Sequence, residues 1–122
     1  MKFVVPLALL AAALAAPTAQ AQRAINIQAR TAGELAELCA ANPKDAKGDA
    51  KIDFCQGYAQ GALSTELRHT EAKKLFCFPS PAPTRKETMA QFVDWVRAVP
   101  DHKSLPAVDG FFRFLSERFP CK

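Results

Sequence analysis

Four cysteines, Cys39, Cys55, Cys77 and Cys121, follow an N-terminal export signal in a short chain, and nothing else in the sequence narrows the fold as much. Residues 1–21 have the three parts of a secretory signal. Lys2 is the positive start, residues 3–16 are the apolar run, and Ala19-Gln20-Ala21 is an A-x-A cleavage site. The apolar run has 14 residues, short of the about 20 that a membrane-spanning helix requires, and no second such run follows. The pattern predicts cleavage after Ala21 and a soluble mature chain in an oxidising compartment. An even number of cysteines in that setting reads as disulfides.

Cleavage leaves 101 of the 122 residues, the size of one domain. A core this small gains from cross-links, each worth roughly 2–4 kcal/mol. Lys2 is the one charge lost with the signal, so 15 basic residues face 12 acidic ones, a balance of +3. The basic residues are scattered rather than gathered into a stripe, which argues against nucleic-acid binding. Ten aromatic residues remain after cleavage, eight of them Phe, enough for a real core.

The periodicity predicts four helices and no strand. Residues 22–30 show no clear period and read as a loose leader before a single helical domain over 31–122. Thr31-Ala32-Gly33-Glu34 is a capping box that opens a short first helix. Asn42-Pro43 ends it, because proline disfavours helix in the preceding residue. A charged turn containing Gly48 leads to a second helix over about residues 50–69, with Cys55, Tyr58, Ala59, Ala62, Leu63 and Leu67 at helical spacing. Gly57 and Gly61, four apart, predict a smooth strip against which another backbone packs, since each costs about 1 kcal/mol of helix propensity relative to Ala.

Residues 76–83, Phe-Cys-Phe-Pro-Ser-Pro-Ala-Pro, cannot be helical with three prolines at alternate positions. They read as a strap pinned across the surface. Thr84 and Glu87 form a second capping box and start a helix with Met89, Phe92, Val93 and Val96 as its core stripe. Ser104 is placed to cap a last helix, with Pro106 in its first turn. Val108, Phe112, Leu115 and Phe119 line one face of that helix, with Phe111 flanking it. Trp95 and Phe114 each fall about 120° from the stripe of their own helix. Off-stripe aromatics of this kind mark a self-association interface.

Catalytic, cofactor-binding and metal-binding patterns are missing. There is no C-x-x-C, G-x-S-x-G, H-E-x-x-H or Gly-rich phosphate loop. His69 and His102 lie 33 residues apart near helix ends, and the acidic pairs sit in charged, polar stretches. Four cysteines allow three connectivities. Cys39 and Cys55 are each eight residues from Lys47, at the turn between the first two helices. An antiparallel hairpin brings them face to face, within the roughly 4.4–6.8 Å Cα separation a disulfide needs. This favours Cys39 with Cys55, leaving Cys77 to tie the strap to Cys121.

The landmarks also come in a familiar order: Leu-x-x-Leu-Cys ending at Cys39, Phe-Cys-x-Gly-Tyr at residues 54–58, and Phe-Cys-x-Pro at residues 76–79. After them come a capped helix with Phe92, Val93 and Trp95 ending in Val99-Pro100, then Leu105-Pro106-Ala107, then Phe119-Pro120-Cys121. The ordered set, over about residues 31–121, resembles the Rap/Tai family of immunity proteins of type VI secretion systems. The resemblance implies a small, helical, disulfide-bonded periplasmic protein, often a homodimer. It also implies a non-enzymatic role, binding a peptidoglycan amidase effector and blocking its cleft. In some relatives the connection before the last helix enters that cleft, and the matching residues here are Asp101, His102, Lys103 and Ser104. An alternative consistent with size and disulfide use is a small envelope interaction or stress-chaperone protein, whose clients would be protected at low pH and not at neutral pH.

Overall fold

The computed structural model describes residues 26–70 and 73–122. The expected export signal at residues 1–21 lies outside them. Among the described residues four α-helices, α1 (Ala32–Cys39), α2 (Gly48–Glu66), α3 (Arg85–Ala98) and α4 (Ala107–Arg118), make the bundle, with a 3₁₀ turn at Pro100–Ser104 between the last two. The β-type pairing among the described residues is a single isolated antiparallel bridge between Thr31 and Pro106. The chain is an all-α bundle, as its periodicity predicts.

Local chemistry sets the helix starts. At α1 the Thr31 hydroxyl accepts from the Glu34 N–H (3.2 Å), and the Glu34 carboxylate accepts from the Arg30 (2.6 Å) and Thr31 (3.3 Å) N–H groups. At α3 the Thr84 hydroxyl accepts from the Glu87 N–H at 3.2 Å, while the Glu87 carboxylate accepts from the Thr84 N–H at 2.7 Å. Each reciprocal pair satisfies donors that the first helical turn leaves open. α2 starts without a side-chain cap. Lys47 adopts φ 62, and the next residue must be glycine for a steric reason, since a Cβ at Gly48 would fall on the Asn42 carbonyl.

The largest fully buried side chains are Phe92, Phe111, Phe114, Leu35, Leu115, Val96 and Cys55. Phe92 meets Phe111 and Phe114 edge-on, at 5.5 and 5.6 Å between ring centroids. Such pairs contribute about 0.5–1.5 kcal/mol beyond their area burial. Disulfides join Cys39 to Cys55 (Cα–Cα 5.1 Å) and Cys77 to Cys121 (Cα–Cα 4.8 Å). The second holds the strap against the end of α4, where the Cys77 N–H also donates to the Phe119 carbonyl (2.8 Å). Phe76 stacks on Phe112, and Phe78 lies 4.9 Å from Phe119.

Tertiary packing corrects several expectations. Phe114 is not on a wet face: it is 1% exposed. The buried face of α4 is Ala107, Gly110, Phe111, Phe114 and Leu115, one residue out of phase with the stripe of large side chains. Close approach to α1 decides the phase, because a Cβ at Gly110 would stand 2.7 Å from the Ala32 Cβ. Val108 is therefore exposed, and Phe112 turns to the strap. Among the described residues no backbone packs on Gly57 or Gly61. Leu67, assigned to the α2 stripe, is the C-cap of that helix and exposed. Ser104 belongs to the 3₁₀ turn and caps nothing; Pro106 stands at the N-cap of α4. The end of the leader is pinned rather than loose. The Arg30 carbonyl accepts from the Ala107 N–H (2.9 Å), and the Leu105 carbonyl accepts from the Ala32 N–H (2.8 Å).

Candidate partner-binding surface

The connection between α3 and α4 is built from both sides. Val99 leaves α3 in an extended conformation, and Pro100 starts the 3₁₀ turn with a preset φ. The His102 N–H donates to the Val99 carbonyl (3.0 Å), and the Leu105 N–H donates to the His102 carbonyl (3.3 Å). α1 closes the other side, where a Cβ at Gly33 would approach the Lys103 carbonyl to 3.1 Å. The turn sits wedged between α1 and α3.

Of the four residues singled out by the sequence, the structure separates one from the rest. Asp101, Lys103 and Ser104 are exposed, whereas His102 is buried. The imidazole lies flat on the Trp95 indole, 3.6 Å between centroids and 13° from parallel. Its Nδ1 is 2.8 Å from the Trp95 carbonyl oxygen. His102 thus supports the turn from beneath, while Asp101, Lys103 and Ser104 are displayed. Trp95 is also not a free surface aromatic. It is half-buried between His102, Phe92 and Phe114, and its Nε1–H donates to Glu117 (2.8 Å).

Glu117 and Arg113 were not found from the sequence, although their i,i+4 spacing on α4 is a legible signal for a pair. Arg113 Nε donates to Glu117 Oε1 at 2.9 Å. The bonds from Arg113 and then Trp95 hold the Glu117 carboxyl below its ordinary pKa. Gly33 was missed for a different reason, since a glycine inside a capping box carries no signal of close approach.

A concavity of about 300 Å³ opens between the end of α2 and the strap, lined by Glu66, Leu67, Lys74, Leu75, Phe76, Cys77 and Phe78. It is mostly apolar. Among the described residues no group of three or more His, Cys, Asp or Glu side chains could hold a metal ion, every cysteine is disulfide-bonded, and no helix is long and apolar enough to cross a membrane.

The turn displays exposed polar residues on a scaffold of helices and two disulfides. The family model of the Rap1a immunity proteins matches residues 31–121. The chain belongs to that family. No curated protein and no solved structure matches it. Rap1a immunity proteins are generally non-enzymatic inhibitors.

Proposed function

We propose that this Rap1a immunity protein is exported, loses residues 1–21, and in the periplasm binds and blocks a peptidoglycan amidase effector delivered by type VI secretion. The observation that carries this reading is the build of the 100–104 turn. Asp101, Lys103 and Ser104 stand in water on a base that is stacked, hydrogen-bonded and wedged. A short element that enters a cleft gains affinity from being ordered beforehand, because less freedom is lost on docking. The two disulfides fit an oxidising compartment. The homodimer implied by the resemblance draws no support from Phe114, which is buried, and Trp95 is already half-buried against His102, Phe92 and Phe114.

The test is inhibition. Purified mature protein is titrated into a type VI peptidoglycan amidase from the same organism while peptidoglycan cleavage is followed. The proposed function predicts stoichiometric loss of activity. Asp101→Ala and Lys103→Ala should each weaken binding by roughly tenfold, the scale of one contact of about 1.4 kcal/mol. Unchanged cleavage with every such amidase of that organism would remove the amidase assignment.

A further inference from the structure

His102 is an anomaly of the turn. Its sequence neighbours Asp101 and Lys103 are exposed, yet its own ring is 6% exposed. Burying a polar ring is costly unless its polar atoms find hydrogen-bond partners. The Trp95 carbonyl can only accept, so the Nδ1 atom 2.8 Å away carries the proton. One face of the imidazole is covered by the Trp95 indole. The indole is braced in turn, since its Nε1–H donates to Glu117, which accepts from Arg113. A continuous series of contacts, Arg113–Glu117–Trp95–His102, therefore runs from α4 across α3 into the middle of the turn.

We infer that His102 is a positioning residue for partner recognition: its ring fixes the turn so that Asp101 and Lys103 are displayed in one orientation, and it sets affinity without touching the partner. This rests on the reading of the turn as the docking element. The geometry separates two contributions. The stack fixes the plane of the ring, and the Nδ1–H bond fixes its rotation about that plane, so variants that keep one and lose the other give graded effects. His102→Phe keeps a ring for the stack and loses the bond. His102→Asn keeps a donor and loses the stack.

The experiment uses the full mature chain with both disulfides intact and has two readouts. Amide hydrogen exchange is followed at His102 and Leu105, whose N–H groups bond within the turn, and at Cys55 in α2 as a remote control. Affinity is measured against the same amidase used in the inhibition test. For His102→Ala the exchange at His102 and Leu105 should accelerate at least about tenfold more than at Cys55, because only the local opening equilibrium changes. Affinity should fall roughly tenfold as the turn must be ordered on binding. His102→Phe and His102→Asn should fall between wild type and His102→Ala on both readouts.

Exchange that rises equally in the turn and in α2, or does not rise, overturns the inference, since His102 would then be an ordinary core residue. A loosened turn with unchanged affinity also overturns it when Asp101→Ala and Lys103→Ala do weaken binding, and the docking role of the turn survives. If those two variants also leave affinity unchanged, the docking reading itself has failed, and the recognition role of His102 fails with it. Should His102→Ala not fold, Trp95→Phe serves instead. It keeps an aromatic ring under His102 and removes the bond to Glu117, so a smaller shift of the same sign supports the inference and none overturns it.

Discussion

The two ends of α4 are fastened by different means. Its N-terminal end is joined to α1 by backbone. Ala32 and Ala107 exchange hydrogen bonds with the opposite chain segment, Thr31 bridges Pro106, and Gly110 lets Ala32 approach to contact. Its C-terminal end is joined to the strap by the Cys77–Cys121 disulfide, one backbone hydrogen bond and the rings of Phe76, Phe78, Phe112 and Phe119. The difference follows from composition. Prolines 79, 81 and 83 have no N–H to give, so a covalent link and side-chain packing take over where backbone pairing is not available. The displayed turn stands at the backbone-fastened end and needs no cross-link of its own.

Removing the covalent fastening has the largest expected effect. Cys77→Ser with Cys121→Ser opens a loop of 44 residues' separation, and the chain-entropy relation puts the loss near 4 kcal/mol. The same change at Cys39 and Cys55, 16 apart, should cost about 3 kcal/mol. Urea unfolding in non-reducing buffer gives both values, and a smaller loss at the strap than at the hairpin would break the comparison. Overpacking the backbone-fastened end comes next. Gly110→Val drives a side chain into Ala32 and should cost about 1–3 kcal/mol, read as a lower urea midpoint. Gly57→Ala or Gly61→Ala is the control, where the added methyl meets none of the described residues. Each should stabilise by about 1 kcal/mol through helix propensity, and a loss of stability would mean that face is occupied.

The smallest effect concerns pH. Hydrogen bonds from backbone N–H groups of Arg30 and Thr31 lower the Glu34 pKa, and those from Thr84 lower that of Glu87. A carboxyl whose pKa is lower in the folded chain stabilises it once ionised. The contribution is complete above the ordinary value of 4.5 and is lost as pH falls through the lower folded value. Stability should therefore decline below about pH 4.5, and Glu34→Gln with Glu87→Gln should flatten that decline in melts recorded across the acid range.

Much of this protein is local and can be read along the chain. Thr31 and Glu34, Thr84 and Glu87, and the stripe Met89, Phe92, Val93 and Val96 act within one or two helical turns, and the structure has them where the spacing puts them. The hairpin that aligns Cys39 with Cys55 is nearly as local. The candidate site was half legible: a short polar connection over residues 100–104 follows from the sequence, its candidacy at Asp101, His102, Lys103 and Ser104 came only from the family resemblance, and the burial of His102 follows from neither. Two decisions needed the third dimension. Which of two overlapping stripes of α4 faces inward is set by Ala107 and Gly110, small residues whose value lies in how near α1 comes. Whether His102 meets solvent or a tryptophan depends on where α3 leaves Trp95 and where Glu117 of α4 braces it. Periodicity assigns residues to a face of one helix; contact between helices assigns that face to the core or to water.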